Sequence, residues 1–99
     1  MRLTSEQITA IRCTTAEIYG EQANVWLFGS RVDDSKRGGD IDLLIRPDYF
    51  LTNPILPHKI CFLGKLERLL GERKIDVIIE EPDDYRPIVR IAHETGVRL

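Results

Sequence analysis

The sequence predicts a small α/β domain in which a mixed sheet of at least three strands is packed by helices. Short apolar runs, too short for helices, alternate with longer segments of helical periodicity. The first two apolar runs are joined by a polar loop that contains Gly38 and Gly39, which is too short for the crossover of a parallel pair. The chain has 99 residues, so a single domain over residues 1–99 is expected.

The first helix is predicted over residues 4–19. The segment Thr4-Ser5-Glu6-Gln7 forms a capping-box pattern, with a hydroxyl at the N-cap and a glutamine three residues later. Gly20 is a typical residue for ending such a helix. The apolar face of the helix is predicted to contain Ile8, Ile11 and Ile18.

Three strands are predicted, over residues 25–28, 41–45 and 74–80. The first, Val25-Trp26-Leu27-Phe28, is a continuous apolar run with a β-branched residue and two aromatics. The short loop after it predicts that the first and second strands run antiparallel.

The remaining segments supply two more helices and a possible edge strand. Asn53-Pro54 has the pattern of an N-cap followed by proline, and an amphipathic helix is expected from there to Leu70, with Gly71 after it. Pro82 closes the third strand, and a last helix is predicted over residues 85–94. Residues 97–99 are expected to add a short edge strand.

The composition excludes several classes of protein. The net charge is −2 and the pI is about 5.6, so no basic surface for binding DNA or RNA is evident. No apolar run approaches the roughly 18 residues of a membrane helix, and residues 1–10 lack the apolar core of a signal peptide. We therefore expect a cytoplasmic protein. Cys13 and Cys61 are predicted to be free, buried or half-buried thiols, without a disulfide or zinc site.

The second strand carries two carboxylates at its beginning. Because side chains alternate between the faces of a strand, Asp40 and Asp42 point to one face together with Leu44. That face is expected to meet something polar. The opposite face is expected to pack against helices through Ile41, Leu43 and Ile45.

The third strand repeats this arrangement with Asp76. If the second and third strands are neighbours, Asp76 lies beside Asp40 and Asp42. Three converging carboxylates repel one another, and a divalent cation would relieve this repulsion. Mg²⁺ takes oxygen ligands, usually one or two protein carboxylates with water and substrate phosphates. The alternative is that Asp40 ends the glycine turn and that Asp42 and Asp76 are solvated surface charges.

Gly29-Ser30, directly after the first strand, predicts an anion site. Backbone N–H groups at a strand-to-helix corner bind phosphate, and glycine allows the close approach that this requires. The Ser30 hydroxyl adds a donor and Arg31 adds positive charge. The segment is not a P-loop, because the pattern G-x-x-x-x-G-K-[ST] does not occur in the sequence.

These motifs together resemble the nucleotidyltransferase superfamily that includes DNA polymerase β. The shared pattern is Gly29-Ser30, nine intervening residues, Asp40-x-Asp42 on a strand, and Asp76 on a later strand. The short chain and the Gly-Ser-Arg triplet are most similar to the minimal, MNT-type members. Those domains are commonly encoded beside a HEPN-domain protein as a toxin–antitoxin pair.

The resemblance implies a fold, a site and a reaction. Gly29 and Ser30, with Arg31, would hold the phosphates of a nucleoside triphosphate, with ATP as the implied substrate. Asp40, Asp42 and Asp76 would bind two Mg²⁺ ions, and Asp76 would help to activate the acceptor hydroxyl. The enzyme would transfer a nucleoside monophosphate to that hydroxyl and release pyrophosphate.

The sequence also departs from the family pattern. Many relatives have serine or threonine directly before the first aspartate of the pair, where this chain has Gly39. Asp33 and Asp34 add negative charge to the loop beside the predicted phosphate site. Both departures bear on the rate of the reaction, and neither breaks the motif.

Three functions stay open at this stage. The chain is an enzyme that adenylylates a HEPN toxin, an antitoxin that acts by contact alone, or the catalytic subunit for a small acceptor such as an antibiotic. A hetero-oligomer with the HEPN protein is expected under the first two. No acceptor-binding domain and no basic, aromatic-rich surface is evident, and Arg86 and Arg90 are interpreted as a solvated helix face.

Overall fold

A computed structural model of the chain describes residues 3–29, 41–48, 55–71, 74–81 and 83–99, with only the backbone for 55–57. These residues form three helices and a four-stranded mixed sheet, which confirms the predicted fold class. The elements in chain order are α1 (Ser5–Tyr19), β1 (Asn24–Phe28), β2 (Ile41–Arg46), α2 (Ile55–Leu70), β3 (Ile75–Ile79), α3 (Pro87–Thr95) and β4 (Val97–Arg98).

Helix α1 begins with the predicted capping box. The backbone N–H of Gln7 donates to Thr4 Oγ1 at 3.1 Å, and the backbone N–H of Thr4 donates to Gln7 Oε1 at 2.9 Å. The helix ends at Gly20, whose N–H donates to the Ala16 carbonyl and whose φ of 105° favours glycine. At the start of the helix, the backbone amide groups of Thr4 and Gln7, which would otherwise be unpaired, are satisfied by side chains.

The strands lie in the order β3-β2-β1-β4. β1 and β2 pair antiparallel, as the short loop between them predicts, and β4 pairs antiparallel with β1 at the sheet edge. β2 and β3 pair in parallel, because the chain passes through α2 between them and so returns to the same end of the sheet.

One face of the sheet, here called the first face, packs against α1 and α2. Ile41, Leu43 and Ile45 are fully buried there, which confirms the predicted inward face of β2. The same cluster contains further residues from both helices and from β1 and β3, namely Ile11, Tyr19, Val25, Leu27, Phe62, Leu66, Val77 and Ile79.

The second face of the sheet is covered in part by α3. Phe28 and Leu44 are buried there against Val89 and Ala92 of the helix. The aspartate face of β2, which was expected to meet something polar, is thus apolar and covered at Leu44, which is fully buried. The reason is the path of the chain, since α3 returns across this face after β3.

Helix α3 begins at Pro87 and ends at Thr95, whereas the sequence predicted residues 85–94. Proline at the first helical position fixes the start, because its ring favours helical φ and its missing N–H has no partner to lose there. The predicted start of α2 at Asn53-Pro54 lies outside the described residues.

Two arginines interpreted as a solvated helix face are both ion-paired. Arg86 Nη2 lies 2.6 Å from Asp84 Oδ2 and also donates to the Ile79 carbonyl at 2.7 Å. These hydrogen bonds hold the pKa of the Asp84 carboxyl well below its usual range. Arg86 therefore ties the start of α3 to the end of β3, while Arg90 pairs with Glu94 one turn along the helix.

A second contact fixes α3 against the same end of the sheet. Glu80 Oε1 contacts His93 Nε2, and Glu80 Oε2 lies 3.4 Å from Arg46 Nε. The His93 ring also stands edge-on to Trp26, with ring centroids 4.5 Å apart. His93 is thus a partly packed histidine that joins the helix to β1 and to the ends of β2 and β3.

Cys13 and Cys61 are free thiols, as predicted, but both are exposed rather than buried. Their positions lie on the outward sides of α1 and α2, whose inward sides carry Ile11 and Phe62. Among the described residues, no helix has the length and apolar character needed to span a membrane.

Tyr19, at the end of α1, is 1% exposed and packs edge-on against the rings of His58 and Phe62. Its hydroxyl is buried and has no hydrogen-bond partner in the part of the chain described. Burial raises the pKa of the Tyr19 phenol to about 12 from an ordinary value of 10.0.

We expect Tyr19→Phe to leave stability at pH 7 unchanged or to raise it by about 1 kcal/mol, because it removes a buried polar group without a partner. Between pH 10 and 12 the unfolded wild type loses the phenol proton while the folded protein keeps it. Stability should therefore fall as the pH rises through this window, and the Tyr19 contribution to that fall should be missing from the variant.

Urea unfolding at pH 7 and at stepped pH values above 9 measures both effects. Tyr85→Phe is the matched control, because the Tyr85 side chain is 88% exposed and should change neither quantity. A clear loss of stability in Tyr19→Phe at pH 7 would contradict the prediction and indicate that the hydroxyl has a partner.

Candidate active site at the start of β2 and β3

The structure brings Asp42 and Asp76 together. They are register partners on the parallel strands β2 and β3, so their side chains leave the same, second face of the sheet. Neighbouring strands are separated by about 4.8 Å, which makes the two side chains direct neighbours. The condition on which Asp76 was expected to meet Asp42, that the second and third strands are neighbours, is therefore met, and we call these two residues the acidic pair.

Three of the predicted site residues lie outside the described residues: Ser30, Arg31 and Asp40. Two features therefore stay predictions: the convergence of Asp40 with the acidic pair, and the phosphate-binding corner itself. Within the described ranges, no three His, Cys, Asp or Glu side chains are grouped so that they could hold a metal ion.

Gly29 joins the predicted phosphate-binding corner to the acidic pair. The preceding residue, Phe28, is the register partner of Asp42, so Gly29 leaves β1 directly beside that carboxylate. Gly29 has a φ of 78°, and a Cβ atom at this position would overlap Asp42 Oδ2. Only glycine meets both conditions, because it tolerates positive φ and has no side chain to displace Asp42.

The acidic pair is accessible to a ligand. The Asp76 side chain is 52% exposed, and Asp42 is half-buried. Both carboxylates can therefore bind a cation that keeps part of its hydration shell. An exposed position also limits the free-energy cost of placing two negative charges on neighbouring strands.

Lys74 is a charged neighbour of the acidic pair that the sequence interpretation missed. It precedes Asp76 by two residues and so lies on the same side of the chain, with Lys74 Nζ 4.0 Å from Asp76 Oδ2. Its carbonyl accepts a hydrogen bond from the Ile41 N–H at 2.9 Å, which holds Lys74 at the start of β2. The alternation in Lys74-Ile75-Asp76 was the signal that could have identified it.

A groove lies elsewhere, between α1, the start of β1 and the C-terminal residues. It has a volume of about 580 Å³ and is lined by residues that include Arg12, Cys13, Asn24 and Arg98. Arg98 Nη2 donates to Asn24 Oδ1 there at 2.5 Å. Among the described residues, Gly29, Asp42 and Asp76 do not line this groove, which therefore differs from the surface at the start of β2 and β3.

No protein-family model matches the chain, and a comparison with curated proteins finds no match either.

We expect Gly29→Ala to lower stability by about 2 kcal/mol or more, because alanine is strained at a φ of 78° and its methyl group would displace the Asp42 carboxylate. The displacement should also weaken divalent-cation binding at the acidic pair. Urea unfolding measures the first effect, and titration with Mn²⁺ followed by its electron paramagnetic resonance signal measures the second.

Gly71→Ala is the matched control for backbone strain alone. Gly71 has a similar φ of 84°, but a Cβ atom there would meet no described residue within 4 Å. It should lose about 1 to 2 kcal/mol and keep its Mn²⁺ affinity. Equal losses of stability in the two variants, with unchanged Mn²⁺ affinity in both, would contradict the packing of Gly29 against Asp42.

Proposed function

We propose that this protein is a Mg²⁺-dependent nucleotidyltransferase that transfers a nucleoside monophosphate, AMP from ATP, to a hydroxyl group. The observation that carries the proposal is the in-register placement of Asp42 and Asp76 on neighbouring parallel strands, with Gly29 packed against Asp42. This geometry agrees with what the Gly-Ser…Asp-x-Asp…Asp pattern requires of a nucleotidyltransferase.

The residues of the acidic pair fit the chemistry of Mg²⁺. Carboxylate oxygens are hard ligands, and Mg²⁺ in proteins typically uses one or two of them while water and substrate phosphates complete its coordination. Asp42 and Asp76 would hold the ion, with Asp40 as the third predicted ligand. When bound, Mg²⁺ supplies positive charge that neutralises the phosphates during transfer.

In the proposed reaction, the oxygen of the acceptor hydroxyl attacks the α-phosphorus of ATP. A new P–O bond forms, and the bond between the α-phosphorus and the oxygen bridging to the β-phosphate breaks. Pyrophosphate leaves with that electron pair, and the hydroxyl proton is lost to a neighbouring base. The protein contributes mainly by positioning the two reactants and by balancing their charge.

Asp42 and Asp76 suit different roles in this reaction, namely binding the metal ion and activating the acceptor hydroxyl. Asp42 is half-buried against Gly29, so its carboxylate is fixed in position and suits a ligand role. Asp76 is more exposed and lies at the start of the parallel pair, where an incoming acceptor hydroxyl can reach it. The resemblance assigns Asp76 the same part, as the residue that helps to activate the acceptor.

The proposed acceptor is a hydroxyl group on a HEPN-domain toxin, which the modification would inactivate. This assignment is drawn from the resemblance to minimal nucleotidyltransferases. It is compatible with the described elements, because α1, α2 and α3 all pack on the sheet and none of them forms a separate unit to hold a small acceptor.

Two forms of labelled ATP test the reaction directly. The protein is incubated with Mg²⁺, the product of the adjacent gene and ATP labelled at either the α- or the γ-phosphate. The α-label should appear on the partner and the γ-label should not, with a mass increase of one AMP. Transfer of the γ-label would instead indicate a kinase, and no label on the partner would contradict a protein acceptor.

We expect Asp42→Asn and Asp76→Asn each to lower the rate of transfer by about 100-fold or more, because each removes a charge aimed at the metal and phosphate site. Asp83→Asn is the matched control. Asp83 is exposed at a positive φ of 55°, which asparagine also tolerates, and it lies in the turn before α3.

Toxicity assays with the same variants separate the enzyme from an antitoxin that acts by contact. If Asp42→Asn and Asp76→Asn still suppress the partner's toxicity while the wild type leaves no AMP on it, the enzymatic proposal fails. Loss of suppression in these variants, with unchanged binding to the partner, supports it.

Replacing Lys74 should change the affinities for two ligands in opposite directions. Its ammonium group competes with a free cation for Asp76, but it attracts the phosphates of a nucleotide. Lys74→Ala should therefore bind Mn²⁺ about two- to fivefold more tightly and MgATP about two- to fivefold more weakly, which is the range for an exposed ion pair.

Isothermal titration calorimetry measures both affinities. Lys65→Ala is the control, because Lys65 forms the same kind of surface ion pair with Glu17 on the helices of the first face. A shift of both affinities in the same direction would contradict the role given to Lys74.

A further inference from the structure

The two flanks of α3 differ in chemistry. On one flank, Arg86 donates to the Ile79 carbonyl and His93 contacts Glu80, so this flank faces the end of β3. Val89 and Ala92 point at the sheet and are 2% and 0% exposed. These contacts fix the rotation of the helix about its own axis.

Ile88 and Ile91 lie away from that polar flank. With 3.6 residues per turn, Ile88 is rotated by about 140° to 160° from both Arg86 and His93. Ile88 is 38% exposed and Ile91 is 49% exposed, although both are large and apolar. We call these two side chains the ledge.

The ledge faces the end of the sheet that carries the acidic pair. Helix α3 starts beside Ile79 on the edge strand β3 and leads directly into β4 at the opposite edge, so its axis runs across the strands. Its two flanks therefore look toward the two ends of the strands. Because the polar flank faces the end of β3, the ledge faces the start of β2 and β3.

The acidic pair adjoins the part of the second face that α3 covers. Leu44 and Ile78, on the second face and packed with α3, follow Asp42 and Asp76 by two residues. Two residues of strand correspond to about 6.6 Å. The acidic pair thus lies two strand residues beyond Leu44 and Ile78, on the side of α3 that the ledge faces.

We propose that the ledge binds the base of the nucleotide whose phosphates lie at the acidic pair. This inference rests on the proposed function and names a subsite within it. Nucleotide sites combine a few polar groups with apolar surface that removes the base from water. Ile88 and Ile91 supply such surface next to a polar site, whereas an exposed apolar side chain elsewhere on the protein would need no explanation.

The test compares two ligands that share phosphates but differ in the base. Binding of MgATP and of Mg²⁺-tripolyphosphate is measured by calorimetry for the wild type and for Ile88→Ser and Ile91→Ser. Each variant should weaken MgATP binding by about three- to tenfold, because less apolar surface covers the base. Binding of Mg²⁺-tripolyphosphate should stay unchanged.

Two control variants separate base binding from folding. Ile60→Ser removes an isoleucine that is 65% exposed on α2, away from the second face, and should change neither affinity. Ile88→Leu keeps the apolar area at the ledge and should bind MgATP like the wild type.

Every other outcome overturns the inference and shows why it fails. Unchanged MgATP binding in both serine variants shows that the base lies elsewhere, and loss of partner binding in the same variants assigns the ledge to a protein surface. Equal weakening of both ligands indicates a general disturbance of the site. If the wild type binds neither ligand, the proposed function itself fails, which differs from failure of the ledge alone.

Discussion

The parallel pairing of β2 with β3 is the constraint on which the candidate site depends. In this register Asp42 lies opposite Asp76, and Leu43 lies opposite Val77. A slip of one residue would turn Asp76 toward the first face and expose Val77, since alternate residues of a strand leave opposite faces. Burial of the apolar residues of both strands therefore fixes the positions of the carboxylates, and the stability of the core and the geometry of the site have one cause.

Helix α3 divides the second face of the sheet into two regions with different chemistry. At the end of β3 the charges are paired among themselves, with Glu80 between Arg46 and His93, and with Arg86 bound to Asp84. At the start of β2 and β3 two carboxylates stand side by side, Asp42 half-buried and Asp76 more exposed. The first arrangement holds the helix in place, because each charge meets a partner of the opposite sign. Under the proposed function, the second would receive a cation, which would relieve the repulsion between like charges on neighbouring strands.

The sequence predicted those features that depend on local patterns. Alternation along β2 identified the buried face of Ile41 and Leu43, and the Thr4–Gln7 pattern identified the start of α1, because both follow from the geometry of single elements. The burial of Leu44 and the pairing of Arg86 with Asp84 could not be predicted in this way, since both depend on where α3 returns over the sheet. Adjacency of Asp42 and Asp76 was conditional for the same reason, as it required the choice of strand neighbours.

The position of Lys74 shows how this arrangement limits the charge of the site. An acidic pair alone would attract any cation, and its repulsion would oppose folding. Lys74 directly precedes β3, and its Nζ, 4.0 Å from Asp76 Oδ2, offsets part of that repulsion. In the proposed nucleotide complex, its exposed ammonium group would turn from the carboxylate to a phosphate without a change in the backbone. The start of β3 would then provide both signs of charge that a metal–triphosphate complex requires, held in place by Val77 and Ile79, which are buried on the opposite face, and by Ile75, which is partly buried there.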